Sequence, residues 1–136
     1  MLPLQHASLW RRLSVALLIV VLVAAMMPAL WFDSKLEALS WFQHTDKWLH
    51  GLTFAVLCVW FFGLFKRGSW WLVVVGLMLF GLVIEGCQLL VSYRMADWMD
   101  VAANSVGIIV GLVLAVSGLG GWGLRVEAWY AGRERA

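Results

Sequence analysis

Hydrophobic positions along the chain fall into four long runs, and short polar or glycine-containing connectors separate them. The runs are Leu13–Phe32, Trp48–Phe65, Trp70–Ser92 and Met99–Gly118. A bilayer core of about 30 Å requires about 20 residues of α-helix, and each run is close to that length. The pattern predicts an all-α fold: an integral membrane four-helix bundle with short interfacial segments, in which residues 1–136 form a single membrane domain.

The composition favours lipid as the solvent of this chain. Of its 136 residues, 63% are hydrophobic and only 13% are charged, whereas soluble domains are about 25% charged. The net charge of +2 is too small to indicate nucleic acid as a partner. Arg11 and Arg12 before the first run also suggest a secretory signal, but the run is long for a signal and lacks a clear cleavage site before Trp31. A retained helix is therefore favoured.

The positions of the basic residues predict the orientation of the four spans. One side of the predicted membrane carries Arg11, Arg12, Lys66, Arg67, Arg125, Arg133 and Arg135, and the other carries Lys35, Lys47 and Arg94. Because cytoplasmic segments carry an excess of Lys and Arg, both termini are expected in the cytoplasm.

Two segments outside the spans have two interpretations each. In the outer loop of residues 33–47, Ser34 and Glu37 have capping-box spacing, which suggests a short amphipathic helix on the outer leaflet; a plain loop is the alternative. The tail that begins at Trp122 either lies at the inner surface, where its arginines meet anionic lipid, or is a frayed end.

Polar residues collect in the outer half of the predicted membrane. The set is Asp46, Lys47, His50, Glu85, Gln88, Arg94, Asp97, Asp100 and Asn104. Asp46 and His50 are four residues apart and Glu85 and Gln88 are three apart, so each pair shares a helix face. Glu85 lies about 10 Å below the outer boundary, where an ionised carboxylate costs roughly 2–3 kcal/mol. Such a residue is expected to face protein or water.

Small residues follow the polar ones along the fourth predicted helix. Ala103, Gly107, Gly111 and Ala115 recur every four residues and form a small-xxx-small ladder, which allows another helix to approach closely. The same face carries Asp100 at its outer end. We therefore expect a polar pocket among the second, third and fourth helices, with Gly107 and Gly111 in helix packing.

Three stretches of the chain carry a resemblance to a known family. They read "DKWLH" at 46–50, "EGCQ" at 85–88 and "RMADWMDVAANSVG" at 94–107, within a region that extends over residues 46–115. In this order they resemble the signature of the VanZ-like family of small bacterial membrane proteins, named after a protein associated with resistance to the glycopeptide teicoplanin. Two positions depart from the family pattern. Phe54 replaces a frequent tyrosine, and "VSYR" at 91–94 replaces a turn that is often Pro-Gly.

The resemblance implies a multi-pass protein of the bacterial inner (plasma) membrane with a role in the cell envelope. Together with the polar pocket, it leads to the hypothesis that an outward-facing site binds or processes an amphiphilic, lipid-linked envelope precursor. The candidates for acid–base catalysis are His50, Glu85 and Asp100. The candidate binding residues are Asp46, Lys47, Gln88, Arg94, Asp97 and Asn104, and Lys47 and Arg94 are expected to hold a phosphate.

Two alternatives stay open at this level. One is a metal-assisted enzyme in which a divalent ion binds among Asp46, His50, Glu85, Asp97 and Asp100, although no tight metal motif is present and no metal ligand is assigned. The other is a non-enzymatic module that assembles with a larger envelope complex or with a second copy of itself. The sequence identifies no cofactor, and it does not decide whether the protein is an enzyme.

Overall fold

The structure is a computed structural model that describes residues 1–26, 41–90 and 98–133; for residues 41–46 it describes the backbone alone. All regular secondary structure in this part of the chain is helical, as predicted. Its five α-helices are α1 (Ala7–Met26), α2 (Trp41–Leu64), α3 (Trp70–Leu89), α4 (Trp98–Leu114) and α5 (Trp122–Arg133). A 3-10 turn at Arg67–Ser69 precedes α3, and a π-helical segment at Ala115–Leu119 continues α4.

Four of the described helical stretches are long and apolar enough to cross a membrane. They are Ala7–Met26, Lys47–Leu64, Arg67–Leu89 and Trp98–Leu119. Because α2 already begins at Trp41, the end of the predicted outer loop belongs to that helix. Residues 27–40 lie outside the described residues, and with them the capping-box residues Ser34 and Glu37.

The centre of the bundle is α2, which packs most extensively against α4. The core combines large side chains of α2 with residues of α3 and α4: Phe54, Leu57, Cys58, Phe62, Trp70, Val73, Leu77, Ile84, Ile108 and Ala115. By contrast, α1 buries only Ser14. The first helix is therefore a peripheral element with most of its surface exposed to lipid.

Glycines allow the backbones of α2 and α4 to touch. A Cβ atom built on Gly111 would lie 2.5 Å from Cys58 Cβ and 2.7 Å from the Ala55 carbonyl oxygen. One built on Gly107 would lie 2.9 Å from the carbonyl carbon of Gly51. Such distances leave no room for a side chain. Lipid gives little hydrophobic drive for helix association, so this close packing supplies the attraction between the two helices.

The chain turns sharply after α4 and continues into α5. Gly118 (φ 136°) and Gly121 (φ 71°) adopt the positive φ angles that only glycine reaches without strain. Arg125 of α5 donates a hydrogen bond from Nη1 to the Gly118 carbonyl oxygen at 2.7 Å, which satisfies an end group of the preceding helix. The tail is thus a helix from Trp122 to Arg133, and a frayed end is not observed there.

The N-terminal segment and α5 meet through Glu127. Its carboxylate accepts hydrogen bonds from the backbone amides of Gln5 (2.7 Å) and His6 (2.9 Å) and from the Trp10 indole (2.9 Å). Burial raises the pKa of Glu127, but these three bonds and the nearby His6 side chain outweigh burial and hold that pKa below its usual value. The carboxylate also lies at the start of α1, where the helix dipole favours negative charge.

Tryptophans fill the space beside this contact. The Trp122 ring lies 5.3 Å from Trp10 and 5.1 Å from Trp60, between ring centroids. The Trp60 indole N–H donates a hydrogen bond to the Ser14 hydroxyl. The Trp122 indole N–H donates one to the Val59 carbonyl oxygen. We call this end of the bundle, with Glu127 and the tryptophans, the tail end. The opposite end carries the polar residues described next.

Candidate functional site

Three buried side chains with metal-binding or acid–base capacity converge from three helices. They are His50 of α2, Glu85 of α3 and Asp100 of α4, with exposed fractions of 8%, 6% and 4%. One nitrogen or carboxylate oxygen of each lies within 4.8 Å of those of the other two. We call these three residues the polar cluster. Residues far apart in sequence thus form one site inside the bundle.

Helical periodicity explains why the cluster forms. On α3 the buried positions include Gly81, Ile84, Glu85 and Gln88, which share one face of the helix. On α4 they are Asp100, Asn104, Gly107, Ile108 and Gly111. The face of α4 that packs against α2 thus carries its polar residues near the start of the helix. Asp100 lies in the first turn of α4, where the positive end of the helix dipole stabilises a carboxylate.

Asn104 orients the histidine of the cluster. Its side-chain oxygen lies 3.3 Å from His50 Nδ1. Because an amide oxygen only accepts, this bond requires a proton on His50 Nδ1, which leaves Nε2 as the other ring nitrogen that faces the rest of its surroundings. Gly81 makes space for the amide, since a Cβ atom there would lie 3.1 Å from Asn104 Nδ2.

Gln88 connects the site to the first helix. Its Nε2 donates to the Ala25 carbonyl oxygen of α1 at 3.1 Å. Among the described residues, no hydrogen-bond partner is found for Gln88 Oε1 or for Asn104 Nδ2, although each side chain is only 2% exposed. A buried acceptor and a buried donor are thus left for other groups, and leaving such atoms unsatisfied costs about 1–3 kcal/mol each.

An apolar cavity of about 240 Å³ lies beside the polar cluster, between α1, α2 and α3. Its walls are Val20, Val21, Ala24, Ala25, Leu49, His50, Thr53, Phe54 and Ile84. His50 belongs both to this wall and to the polar cluster. The site therefore joins an apolar compartment to a group of ionisable side chains.

The residues predicted from sequence are distributed as follows. The structure brings together His50, Glu85, Asp100 and Asn104, and it places Gln88 on the same face as Glu85. Lys47 lies on α2, one turn before His50, and is half-buried. The side chain of Asp46, and Arg94 and Asp97 altogether, lie outside the described residues. Gly107 and Gly111 lie against α2.

Two features were not found by reasoning from sequence. The first is the contribution of α1 to the cavity, because its lining residues are ordinary apolar residues of a membrane span. The second is the role of Glu127, whose hydrogen-bond partner Gln5 is 122 residues away. No local pattern signals either feature.

The cluster and the helices that carry it lie within a recognised family pattern. A family model described as VanZ/LLP1 matches residues 5–119. The chain belongs to the VanZ/LLP1 family. The match includes every described residue of the four spans and ends before α5, and it confirms the resemblance that the sequence indicated. No curated protein and no solved structure is significantly similar to the chain. Membership of the VanZ/LLP1 family and the four apolar helices together indicate a multi-pass membrane protein.

Proposed function

We propose that this VanZ/LLP1 protein binds an amphiphilic, lipid-linked cell-envelope precursor in the bacterial inner membrane. The polar head of the precursor contacts the polar cluster, and the first part of its chain occupies the cavity between α1, α2 and α3. The observation that carries the proposal is the double position of His50, which lines the apolar cavity and also belongs to the cluster. An amphiphile has the matching division into an apolar and a polar part.

The size of the cavity supports a hydrocarbon occupant. An apolar cavity of about 150 Å³ is known to stay dry and to bind small hydrocarbons, and this cavity measures about 240 Å³. It holds a short stretch of chain, and the remainder extends into the bilayer. The Val20 side chain of α1, which belongs to the cavity wall and is 62% exposed, offers an apolar surface for that remainder.

Several groups near the cluster suit a phosphate head group. The buried Asn104 Nδ2 donor has no partner among the described residues and supplies a hydrogen bond to an anionic oxygen. Lys47 lies one turn before His50 and is predicted to bind phosphate. The sequence predicts the same role for Arg94, which lies outside the described residues. The cluster side chains accept and donate protons, so acid–base chemistry on the head group is compatible with the site. The proposal itself concerns binding.

The test is to purify the full chain in a mild detergent and to identify co-purified lipids by mass spectrometry. We expect an isoprenoid phosphate or a similar lipid-linked precursor in the wild type. Ala24→Phe fills the cavity from α1, and Glu85→Gln changes the polar cluster; each variant should lose most of the bound precursor.

Val23→Phe is the matched control for Ala24→Phe. Val23 is the neighbouring residue of α1, half-exposed and absent from the cavity wall. The Val23→Phe substitution introduces the same aromatic ring outside the cavity, and this variant should retain wild-type lipid. If the wild type and all variants carry the same ordinary phospholipids, the binding proposal is wrong, and the non-enzymatic module becomes the better explanation.

A further inference from the structure

The polar cluster has the composition of a metal centre for a first-row divalent ion. Its members supply one imidazole nitrogen and two carboxylate oxygens, a mixed set that suits ions such as Zn²⁺ and Mn²⁺. Ca²⁺ and Mg²⁺ prefer sites made of oxygen alone. Neither Cys58 nor Cys87 belongs to the group, so thiolate coordination plays no part.

The spacing of the ligand atoms is close to that of a bound ion. Zn²⁺ binds nitrogen and oxygen at about 2.0–2.2 Å, so two ligands of a tetrahedral ion lie about 3.4 Å apart. The potential ligand atoms of the cluster lie within 4.8 Å of one another. Movements of about 0.8 Å by each atom therefore suffice to bring all three onto one ion.

Charge favours a divalent cation at this place. Two carboxylates that are 6% and 4% exposed are held close together within a membrane-spanning bundle. Bringing two ionised carboxylates this close is unfavourable, and removing them from water adds to the cost. A divalent ion bound by both carboxylates offsets this cost and leaves the imidazole neutral, as metal binding requires.

The surroundings of the cluster match those of metal ligands in two independent ways. Metal-binding histidines usually donate their second ring N–H to an oxygen, and the Asn104 side-chain oxygen lies 3.3 Å from His50 Nδ1, where it accepts such a bond when Nε2 binds the ion. In addition, the buried Gln88 Oε1 requires a donor and the buried Asn104 Nδ2 requires an acceptor, beyond what the described residues offer. An ion that carries water and a phosphate oxygen supplies both.

We infer that His50, Glu85 and Asp100 form a binding site for one first-row divalent metal ion, of which Zn²⁺ and Mn²⁺ are representatives. The inference rests on the proposed function for its purpose, since the ion would attach the phosphate of the lipid head group to the protein. Binding of the metal can nevertheless be measured without any lipid.

The experiment uses the full chain with a streptavidin-binding tag, because a polyhistidine tag binds metal itself. The detergent-purified protein is stripped with a chelator and incubated with Zn²⁺ or Mn²⁺, and free metal is removed. Mass spectrometry of the elements should find about one ion per chain in the wild type. Asn104→Leu, which removes the bond to His50, should weaken metal affinity about 10- to 100-fold. Asp100→Asn and Glu85→Gln should weaken it at least as much.

Two controls separate the site from other metal-binding groups. Glu127→Gln makes the same carboxylate-to-amide change at the tail end, and Cys87→Ala removes a thiol close to the cluster in sequence. Both should keep wild-type metal content. Co²⁺ bound to the wild type gives a further readout that does not depend on any variant folding, because its visible absorption reports nitrogen and oxygen ligands and should disappear on addition of Zn²⁺.

Clearly substoichiometric metal in the wild type, or equal affinity in the wild type and the carboxylate variants, overturns the metal site. Lipid analysis of the same preparations distinguishes this failure from failure of the proposed function. Precursor without metal refutes the metal site alone. Metal without precursor supports the metal site and refutes the proposed function.

Discussion

Two buried carboxylates at opposite ends of the bundle have different surroundings. Glu127 accepts three hydrogen bonds of 2.7–2.9 Å, two from backbone amides of the N-terminal segment and one from an indole of α1. Glu85 instead joins a second carboxylate and an imidazole from neighbouring helices. The first arrangement fixes the fold, since the chain itself supplies the donors. The second gathers ionisable groups in one place, as binding sites do.

We predict that Glu127→Gln loosens the contact between α5 and the N-terminal segment. The amide has one acceptor oxygen in place of two and lacks the charge that favours the start of α1, so a loss of about 1–2 kcal/mol is expected. Hydrogen exchange at the Gln5 and His6 amides should accelerate accordingly. His6→Gln is the control, because that imidazole is 68% exposed while its backbone amide makes the bond. Equal acceleration in both variants would contradict the prediction.

The same carboxylate predicts a pH dependence with a definite sign. The pKa of Glu127 is lowered in the folded protein, so ionisation stabilises the contact above the unfolded pKa of about 4.3. That stability is lost as the pH falls through the lower, folded pKa. Protection of the Gln5 and His6 amides, corrected for intrinsic exchange, should therefore be constant near neutral pH and decline below about pH 4. Glu127→Gln should show no such decline, and a parallel decline in that variant would refute the assignment.

At the scale of elements, the contact between α2 and α4 determines the geometry of the site. His50 lies on α2, while Asp100 and Asn104 lie on α4. Gly107 and Gly111 hold the two backbones in contact along the turns that follow. A change in the separation of these helices therefore alters the cluster directly.

We predict that Gly107→Ala destabilises the protein. The new methyl group would overlap the Gly51 carbonyl group, and overpacking of this kind costs about 1–3 kcal/mol. Thermal unfolding in detergent should occur at a lower temperature, and ligand binding at the cluster should weaken with it. Gly76→Ala is the matched control, because a Cβ atom there meets nothing within 4 Å. If both variants unfolded at the same temperature, the close α2–α4 contact at Gly107 would not stabilise the protein as predicted.

Sequence periodicity predicts this part of the structure well, and its success has a physical reason. A membrane helix has one lipid-facing side and one protein-facing side, so the spacing of Glu85 and Gln88, or of Asp100 and Asn104, is sufficient to place each pair on a common face. The cavity was not predictable in the same way. Its walls on α1 are apolar, and the lipid-facing side of that helix is apolar too, so the sequence does not distinguish the two.

At the scale of the whole molecule, both ends of the described chain lie at the tail end. The Leu2 amide donates to the Leu64 carbonyl at 2.8 Å, and Glu127 binds the segment before α1. Four spans require this arrangement, since an even number of crossings returns the chain to its starting side. The polar cluster consequently lies toward the opposite surface, about 20 Å along α2 from Leu64 at 1.5 Å per residue.

The predicted orientation places the tail end in the cytoplasm and the polar cluster toward the outside, and it can be tested with two cysteine variants. The Lys and Arg count is seven to three in favour of this orientation. Trp98 begins α4 near the cluster and is 82% exposed, and Gly68 lies in the turn between α2 and α3 at the tail end. In a Cys87→Ala background, the fully buried Cys58 should not react.

A membrane-impermeant maleimide applied to spheroplasts should label Trp98→Cys, and it should label Gly68→Cys only after the membrane is permeabilised. Detergent-solubilised protein, in which both sites react, provides the reference for full labelling. The reverse pattern would show that the cluster faces the cytoplasm, which would exclude a precursor that reaches the site from the outer leaflet. Labelling of both variants in intact spheroplasts would contradict the placement of these two sites at opposite membrane surfaces. The expected pattern would leave the cluster accessible from the leaflet in which the proposed precursor is found.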